Sequence, residues 1–303
     1  SGKVTITVDC QPVGAQKELL ANWNADVAEF QKQNPDIIVK SVSVGEQCNN
    51  PPDFTARLTG GTMTDVFYGY MTDLQQVLDS VQAMDITPYV SKDTVPTWDS
   101  IDPALKQVFT DDGKVYGIPT KNYSMGLLYN KALFTKAGLD PDKAPTSWDD
   151  VREAAKKIAA LGNGTVGFAE TSKNNQGGWH LVTWSYAMGS QIAKQEGEKW
   201  TADFNNSKVK GALQLLKDMR WTDNSMGQKQ LLEWADLLNM MGSGKLGMYV
   251  ATADNIPTIV NQFKGSYKSY GLGPIPDGQG TLGGGEGYMF KAGLSPEKIK
   301  AGL

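Results

Sequence analysis

Residues 4–70 alternate strand, helix, strand, helix, strand, and that order limits the possible folds more than any other feature of the chain. Val4-Thr5-Ile6-Thr7-Val8 alternates with period two, the spacing of a strand that buries one face. Over residues 15–33 the apolar side chains Leu19, Leu20, Trp23, Val27 and Phe30 fall on one helical stripe, which Asn34-Pro35 stops. Residues 37–44 read as a second strand, 54–59 as a short helix closed by Gly60-Gly61, and 65–70 as a third strand. Such connections make a parallel, doubly wound α/β sheet. Ligands of these sheets bind outside the carboxyl ends of the strands. Those ends are residues 10–13, 46–50 and 70–73. They put forward Gln11, Glu46, Gln47, Tyr70 and Asp73 as candidate ligand contacts.

Residues 113–134, GKVYGIPTKNYSMGLLYNKALF, read as two strands, 115–119 and 125–129, with a polar, aromatic link between them. Pro119 has no N–H and holds the residue before it extended, so the chain is expected to leave one sheet there. A short helix over 132–137 follows, closed by Gly138. A strand-to-strand passage of this kind suggests a crossing between two lobes. Further on, Asp149 and Asp150 favour the positive end of a helix over 147–161. Residues 166–170 form a strand, and Gly177-Gly178 open a helix from Trp179 to Met188. Helices over 207–221 and 228–241 have buried stripes Val209, Leu213, Leu216 and Leu231, Trp234, Leu238, Met241. Strand 246–251, helix 255–263 and strand 270–274 lead to the glycine run 283–287, which reads as a second crossing. Ser295 as N-cap and Pro296 just inside begin a last helix.

The motif G-x-x-Y-G-I-P at 113–119, then L-Y-N-K-A-L-F-T-K-A-G-L at 128–139 and Pro145-Thr146-Ser147-Trp148-Asp149-Asp150, resembles the first interlobe crossing of the extracellular solute-binding proteins, family 1, that serve sugar ABC importers. The resemblance runs through nearly the whole chain at the level of element order. It implies the type II, two-lobed periplasmic-binding-protein fold of the maltose-binding kind, each lobe a doubly wound sheet flanked by helices. The N-terminal lobe would be 1–117 with 287–303 and the C-terminal lobe 118–286, hinged at 119–123 and 286–288. It also implies a monomeric receptor, not an enzyme, needing no cofactor. Such a receptor captures a mono- or oligosaccharide outside the cytoplasm, in the periplasm or on a lipid anchor. It delivers the sugar to the membrane permease subunits of an ABC importer. Carried over position by position, the family's sugar contacts fall on Tyr70, Thr72 and Asp73, on Asn122 and Tyr123, and on Trp179; the loop after strand 246–250, aromatic in maltose-type members, is Ala253-Asp254-Asn255 here, a departure that argues against a long maltodextrin. Members of the family continue with further helices and a third crossing, so the chain is read as a fragment shortened at its C-terminus.

Other chemistry is excluded by the residues themselves. A net charge of −4 leaves no footprint for nucleic acid or an anionic membrane surface. One histidine and two cysteines do not make a zinc cluster of the usual ligand types, and no metal site is expected. Gly242-Ser243-Gly244-Lys245 follows a helix, and Leu246 stands where a phosphate loop needs Ser or Thr, so it reads as a helix stop. Cys10 and Cys48 each follow a strand at the same sheet end and are expected to pair, in an oxidising compartment. Asp9, Glu46, Asp73, Asp254 and Glu286 fall at strand ends or crossings. They are either acceptors for sugar hydroxyls or, in a hydrolase, an acid pair about a glycosidic bond. Trp179, Tyr70 and Tyr123 lie off the buried stripes, where an aromatic face suits the C–H face of a pyranose. A same-fold receptor for a polyamine is the remaining alternative, and the mixture of amides and aromatics favours a neutral polyol over it.

Overall fold

A computed structural model describes residues 2–45, 48–173, 176–197 and 199–303. The chain divides into two compact units, residues 1–122 with 284–303, and residues 123–283. The strand that leaves the first unit runs on past Pro119, and the strand that returns begins at Gly283.

The first unit opens with β1 (Val4–Val8), α1 (Lys17–Gln33), β2 (Ile37–Ser41), α2 (Pro51–Thr59), β3 (Val66–Tyr70) and α3 (Leu74–Asp79). The short α4 (Pro103–Gln107) and the small hairpin of β4 (Thr110–Asp111) and β5 (Lys114–Val115) precede β6 (Gly117–Ser124). The second unit holds β7 (Gly126–Asn130), α5 (Lys131–Lys136), α6 (Trp148–Ala159), β8 (Val166–Phe168), α7 (Gln176–Ala187), and the hairpin of β9 (Ala193–Glu196) and β10 (Lys199–Ala202). It continues with α8 (Ser207–Lys217), α9 (Trp234–Gly242), β11 (Leu246–Ala251), α10 (Asn255–Phe263) and β12 (Tyr270–Gly273). The chain returns along β13 (Gly283–Phe290) and ends in α11 (Pro296–Gly302), capped by the Ser295 side chain as its sequence predicts.

The first sheet has the order β2-β1-β3-β13-β6. β1 runs parallel to both β2 and β3, as the alternation of elements requires, and β13 is antiparallel to β3 with Glu286 opposite Tyr70. Pro119 does not end its strand. β6 lies at the sheet edge, where a residue without an N–H costs no ladder bond. The glycine run 283–287, read as the second crossing, forms the start of β13, where the chain passes from the second unit back to the first. A Cβ on Gly285 would lie 2.5 Å from the Lys121 carbonyl oxygen, and one on Gly287 would run into the Ile118 carbonyl. Close strand approach is what these glycines permit. Phe54, Phe67, Val77, Phe109 and Met289 form the core beneath α2 and α3. The predicted stripe of α1 is only half covered: Leu20, Trp23, Val27 and Phe30 are half-buried and Leu19 is exposed.

The second sheet has the order β12-β7-β11-β8. β7 and β11 are buried at every position, the pattern of strands covered on both faces. Trp148, Val151, Phe168 and Trp184 pack on one face, Leu237, Leu238, Met241 and Ile259 on the other. α6 begins with a reciprocal capping box between Ser147 and Asp150. The helix predicted over 228–241 starts only at Trp234, after a capping box of Glu233 and Asp236, so Leu231 lies in an exposed loop. Leu213, predicted to be buried, is half exposed as well.

Candidate functional site

The carboxyl ends of β1, β2 and β3 and the start of β13 share one rim of the first sheet. Asp9, just past β1, is fully buried. It accepts from the Tyr68 N–H at 2.7 Å and from Arg57 Nη1 at 2.9 Å. Burial pushes its carboxyl above the ordinary range, against the pull of those donors and of the Arg57 charge. Cys10 and Cys48 form a disulfide with Cα atoms 5.1 Å apart, as the sequence predicts. The cluster Asp9, Cys10, Cys48 therefore offers no thiolate, and its carboxylate already serves Arg57, so a metal finds no ligand set there.

Glu286 stands on the same rim with its side chain 18% exposed. It accepts a hydrogen bond from the Tyr68 hydroxyl and faces Lys121 Nζ at 3.5 Å. Tyr68 packs edge-on against both Tyr70, at 5.6 Å between ring centroids, and Tyr288, at 5.9 Å. Burial, then the carboxylates of Asp9 and Glu286, push the Tyr288 hydroxyl up to about 12, so it keeps its proton at neutral pH. Asp73 accepts from the Tyr70 N–H at 2.7 Å, from Asn49 Nδ2 at 2.5 Å and from Gln76 Nε2 at 2.9 Å. It thus fixes the turn after β3. Gln11 is half-buried, with its N–H on the Val42 carbonyl, and Asn122 is exposed. Glu46 and Gln47, also expected as contacts, lie outside the described residues.

The second unit has a comparable rim. Gly126 pairs with Ala251 and Leu127 with Gly273, so the start of β7 shares an edge with the carboxyl ends of β11 and β12. β8 is parallel to β11 and ends on that edge too. Tyr123 and Trp179 meet there edge-on, 6.1 Å between centroids, both half-buried against the core. α7 begins three residues before Trp179, at Gln176, so the indole sits in the first turn. Its N–H is buried and has no acceptor among the described residues. Asp254 is exposed, but its neighbour Asn255 is 3% exposed and committed to the protein. Its Oδ1 accepts from Trp234 Nε1 and Tyr249 OH, both at 2.8 Å, and its amide donates to Thr252 Oγ1.

Sequence reasoning missed Glu170, which follows β8. Its carboxylate accepts from His180 Nδ1, from Trp184 Nε1 at 2.6 Å and from the Thr171 N–H. Its place at a strand end was the available signal. A cavity of about 450 Å³ opens beside it between α7 and α8, lined by Thr171, Trp184, Leu216, Arg220 and Leu231 among others. Tyr68 was also missed, although period two puts it on one face of β3 with Tyr70.

Residues 14–295 match the family model described as bacterial extracellular solute-binding protein. The chain belongs to that family. A putative binding protein of Brucella abortus is 32% identical over 57% of this chain, but the match spans only 41% of that protein. The sn-glycerol-3-phosphate-binding periplasmic protein UgpB of the same organism is 29% identical over 62% of this chain and 43% of its own length. An ABC transporter solute-binding protein from Thermotoga lettingae, solved with α-D-tagatose bound, superimposes with a TM-score of 0.82 over 99% of this chain and 75% of that one, at 23% identity. At that identity the likeness fixes the fold. It is the type II fold of the solute-binding family, as the crossing motifs imply, and among the described residues no helix is long and apolar enough to cross a membrane.

Proposed function

We propose that the chain is the ligand-capturing part of an extracytoplasmic carbohydrate receptor, without catalytic activity, that hands its sugar to the permease subunits of an ABC importer. The observation that carries this reading is the rim of the first unit. There the acceptor carboxylate of Glu286 and the donor Lys121 stand beside the rings of Tyr68, Tyr70 and Tyr288. Polar groups of both kinds next to aromatic surface suit a neutral polyol, whose hydroxyls donate and accept while its C–H faces are apolar. Tyr70 and Asn122 are the further contacts assigned to this rim, and Tyr123, Trp179 and Asp254 are the candidate contacts on the second unit. Asn255 and Asp73 are given supporting roles, because their polar atoms are already engaged within the protein.

A hydrolase would need a pair of carboxyl groups free to exchange protons with substrate. Asp9, Asp73 and Glu170 are each bonded to protein donors, which speaks against that use. The relative that binds sn-glycerol 3-phosphate favours a second reading, a phosphorylated polyol, with Lys121 as the cation. Titration calorimetry against D-tagatose, maltose, sn-glycerol 3-phosphate and spermidine separates these readings. Stoichiometric binding of a neutral sugar, recovered unchanged, is expected. Preference for the phosphate ester would select the second reading, preference for spermidine would replace both, and release of a hydrolysis product would make the chain an enzyme.

A further inference from the structure

The loops that follow β1, β2 and β3 are tied together in series. Cys10, directly after Asp9, has a φ of 69°, in the left-handed region that a non-glycine residue keeps only when its surroundings hold it there. Its disulfide reaches Cys48 in the loop after β2. Asn49, next along the chain, is 2% exposed and donates from Nδ2 to Asp73 Oδ2 at 2.5 Å. The same oxygen accepts the Tyr70 N–H at 2.7 Å. One run of bonds thus passes from the end of β1 through a disulfide, a buried amide and a carboxylate to the backbone at the end of β3. Gln11 is fixed at the near end of the run, where its N–H donates to the Val42 carbonyl at 3.1 Å.

We propose that the Cys10–Cys48 disulfide and Asn49 are positioning elements of the ligand rim, which hold Gln11 and Tyr70 in register before any ligand arrives. Neither acts on ligand itself. A contact residue that is already ordered loses less conformational freedom on binding, so a tied rim binds more tightly than the same residues on loose loops. Asn49 is the link a disulfide alone would not supply. Its amide faces a carboxylate that also accepts from the Tyr70 N–H and Gln76, and donors to an ionised acceptor are the stronger kind. Helix α2 begins two residues later, at Pro51, so Asn49 stands between a covalent anchor and a regular element. What the rim binds rests on the carbohydrate reading, whereas the positioning is a property of the first unit by itself.

Amide hydrogen exchange read by NMR tests the idea without any sugar, so its failure is separate from a failure of the carbohydrate reading. The forms compared are the unsubstituted chain, Asn49→Ala, and the double variant Cys10→Ser with Cys48→Ser. The quantity is the exchange rate of the Tyr70 amide divided by that of the Phe67 amide inside the same strand. In Asn49→Ala this ratio is expected to rise roughly tenfold, the scale of weakening one charge-assisted hydrogen bond. In the double variant it should rise as well, although Asn49 is intact, because its anchor is gone. A purely structural disulfide would speed both amides together and leave the ratio unchanged. Should the double variant fail to fold, Asn49→Ala decides alone, and an unchanged ratio there overturns the proposal.

Discussion

The two rims are built on the same kind of sheet edge, and they hold their polar groups differently. On the first unit a covalent link and a chain of hydrogen bonds lock the loops, and the acids Asp9 and Asp73 are occupied by donors from several segments. On the second unit order comes from stacked aromatic rings under the edge. Trp184 is wholly buried, lies 3.6 Å from Trp148 between centroids in a near-parallel stack, and donates to Glu170. Polar satisfaction is less complete there: Trp148 Nε1, Trp179 Nε1 and Thr171 Oγ1 are buried without partners among the described residues. The difference teaches that one lobe adds a covalent tie to its directional bonds, and the other sets stacked aromatic area beneath them.

If that contrast is right, Trp184→Ala is the largest single perturbation. It removes a fully buried indole and strips Glu170 of a donor, at an expected cost of roughly 3–5 kcal/mol. A denaturant melt followed by hydrogen exchange should place the loss in residues 123–283. A loss shared equally by both units would dissolve the contrast. Next, removing the disulfide by Cys10→Ser with Cys48→Ser frees a loop with a sequence separation of 38. The chain-entropy model gives roughly 4 kcal/mol at most, less where strain in the folded form is relieved. Protection should fall in β1 and most at the carboxyl end of β3, and stay unchanged in β7 and β11. A smaller effect follows from Asn255→Ala, which leaves the Trp234 N–H and the buried Tyr249 hydroxyl unpaired, about 1–3 kcal/mol of stability. Asp254→Asn, one residue away and exposed, should be near neutral in the same melt. Equal losses would show that the partners of Asn255 do not set its cost.

Acid provides the finest test. Asp9 and Asp73 have carboxyls raised above 3.8 by burial, so between that value and their higher folded values the folded chain keeps protons the unfolded chain has lost. Their contribution to stability therefore falls as pH rises through that window. Asp223 in the second unit is held low by its hydrogen bond and charge interaction with Arg152. Its contribution is complete above 3.8 and is lost as pH drops through its lower folded value, about 1 kcal/mol for a pair of this partial exposure. Asp65 follows Asp223 in sign: burial pushes it up, but the Thr7 N–H and Lys298 more than offset this. Carboxyl-carbon NMR titration should order Asp9 and Asp73 above Asp223 and Asp65. The reverse order would remove the electrostatic half of the comparison.

The fold was legible where one face of an element meets a core. Period two in β1, the acids Asp149 and Asp150 in the first turn of α6 and the capping residue Ser295 each report a local rule that the tertiary structure keeps. The crossing motifs carried the family. What misled was context that no local rule contains. Pro119 stays in a strand because that strand is an edge, a position that the sheet order sets. In the candidate site the disulfide and the strand-end positions could be read from spacing. The engagement of Asn255 and Asp73 could not, since it depends on partners such as Trp234 and Asn49 placed by other elements.

The place of β13 governs the order in which the molecule is completed. It lies between β3 and β6, so the first sheet stays split until residues near 290 arrive, whereas the second unit is one uninterrupted segment, 123–283. A polypeptide emerging from its amino end can therefore finish the later-encoded body first. The earlier-encoded one must wait as an open pair of fragments whose closing contacts span most of the chain, and contacts of such separation form slowly. The first body would thus stay open while the second is being made.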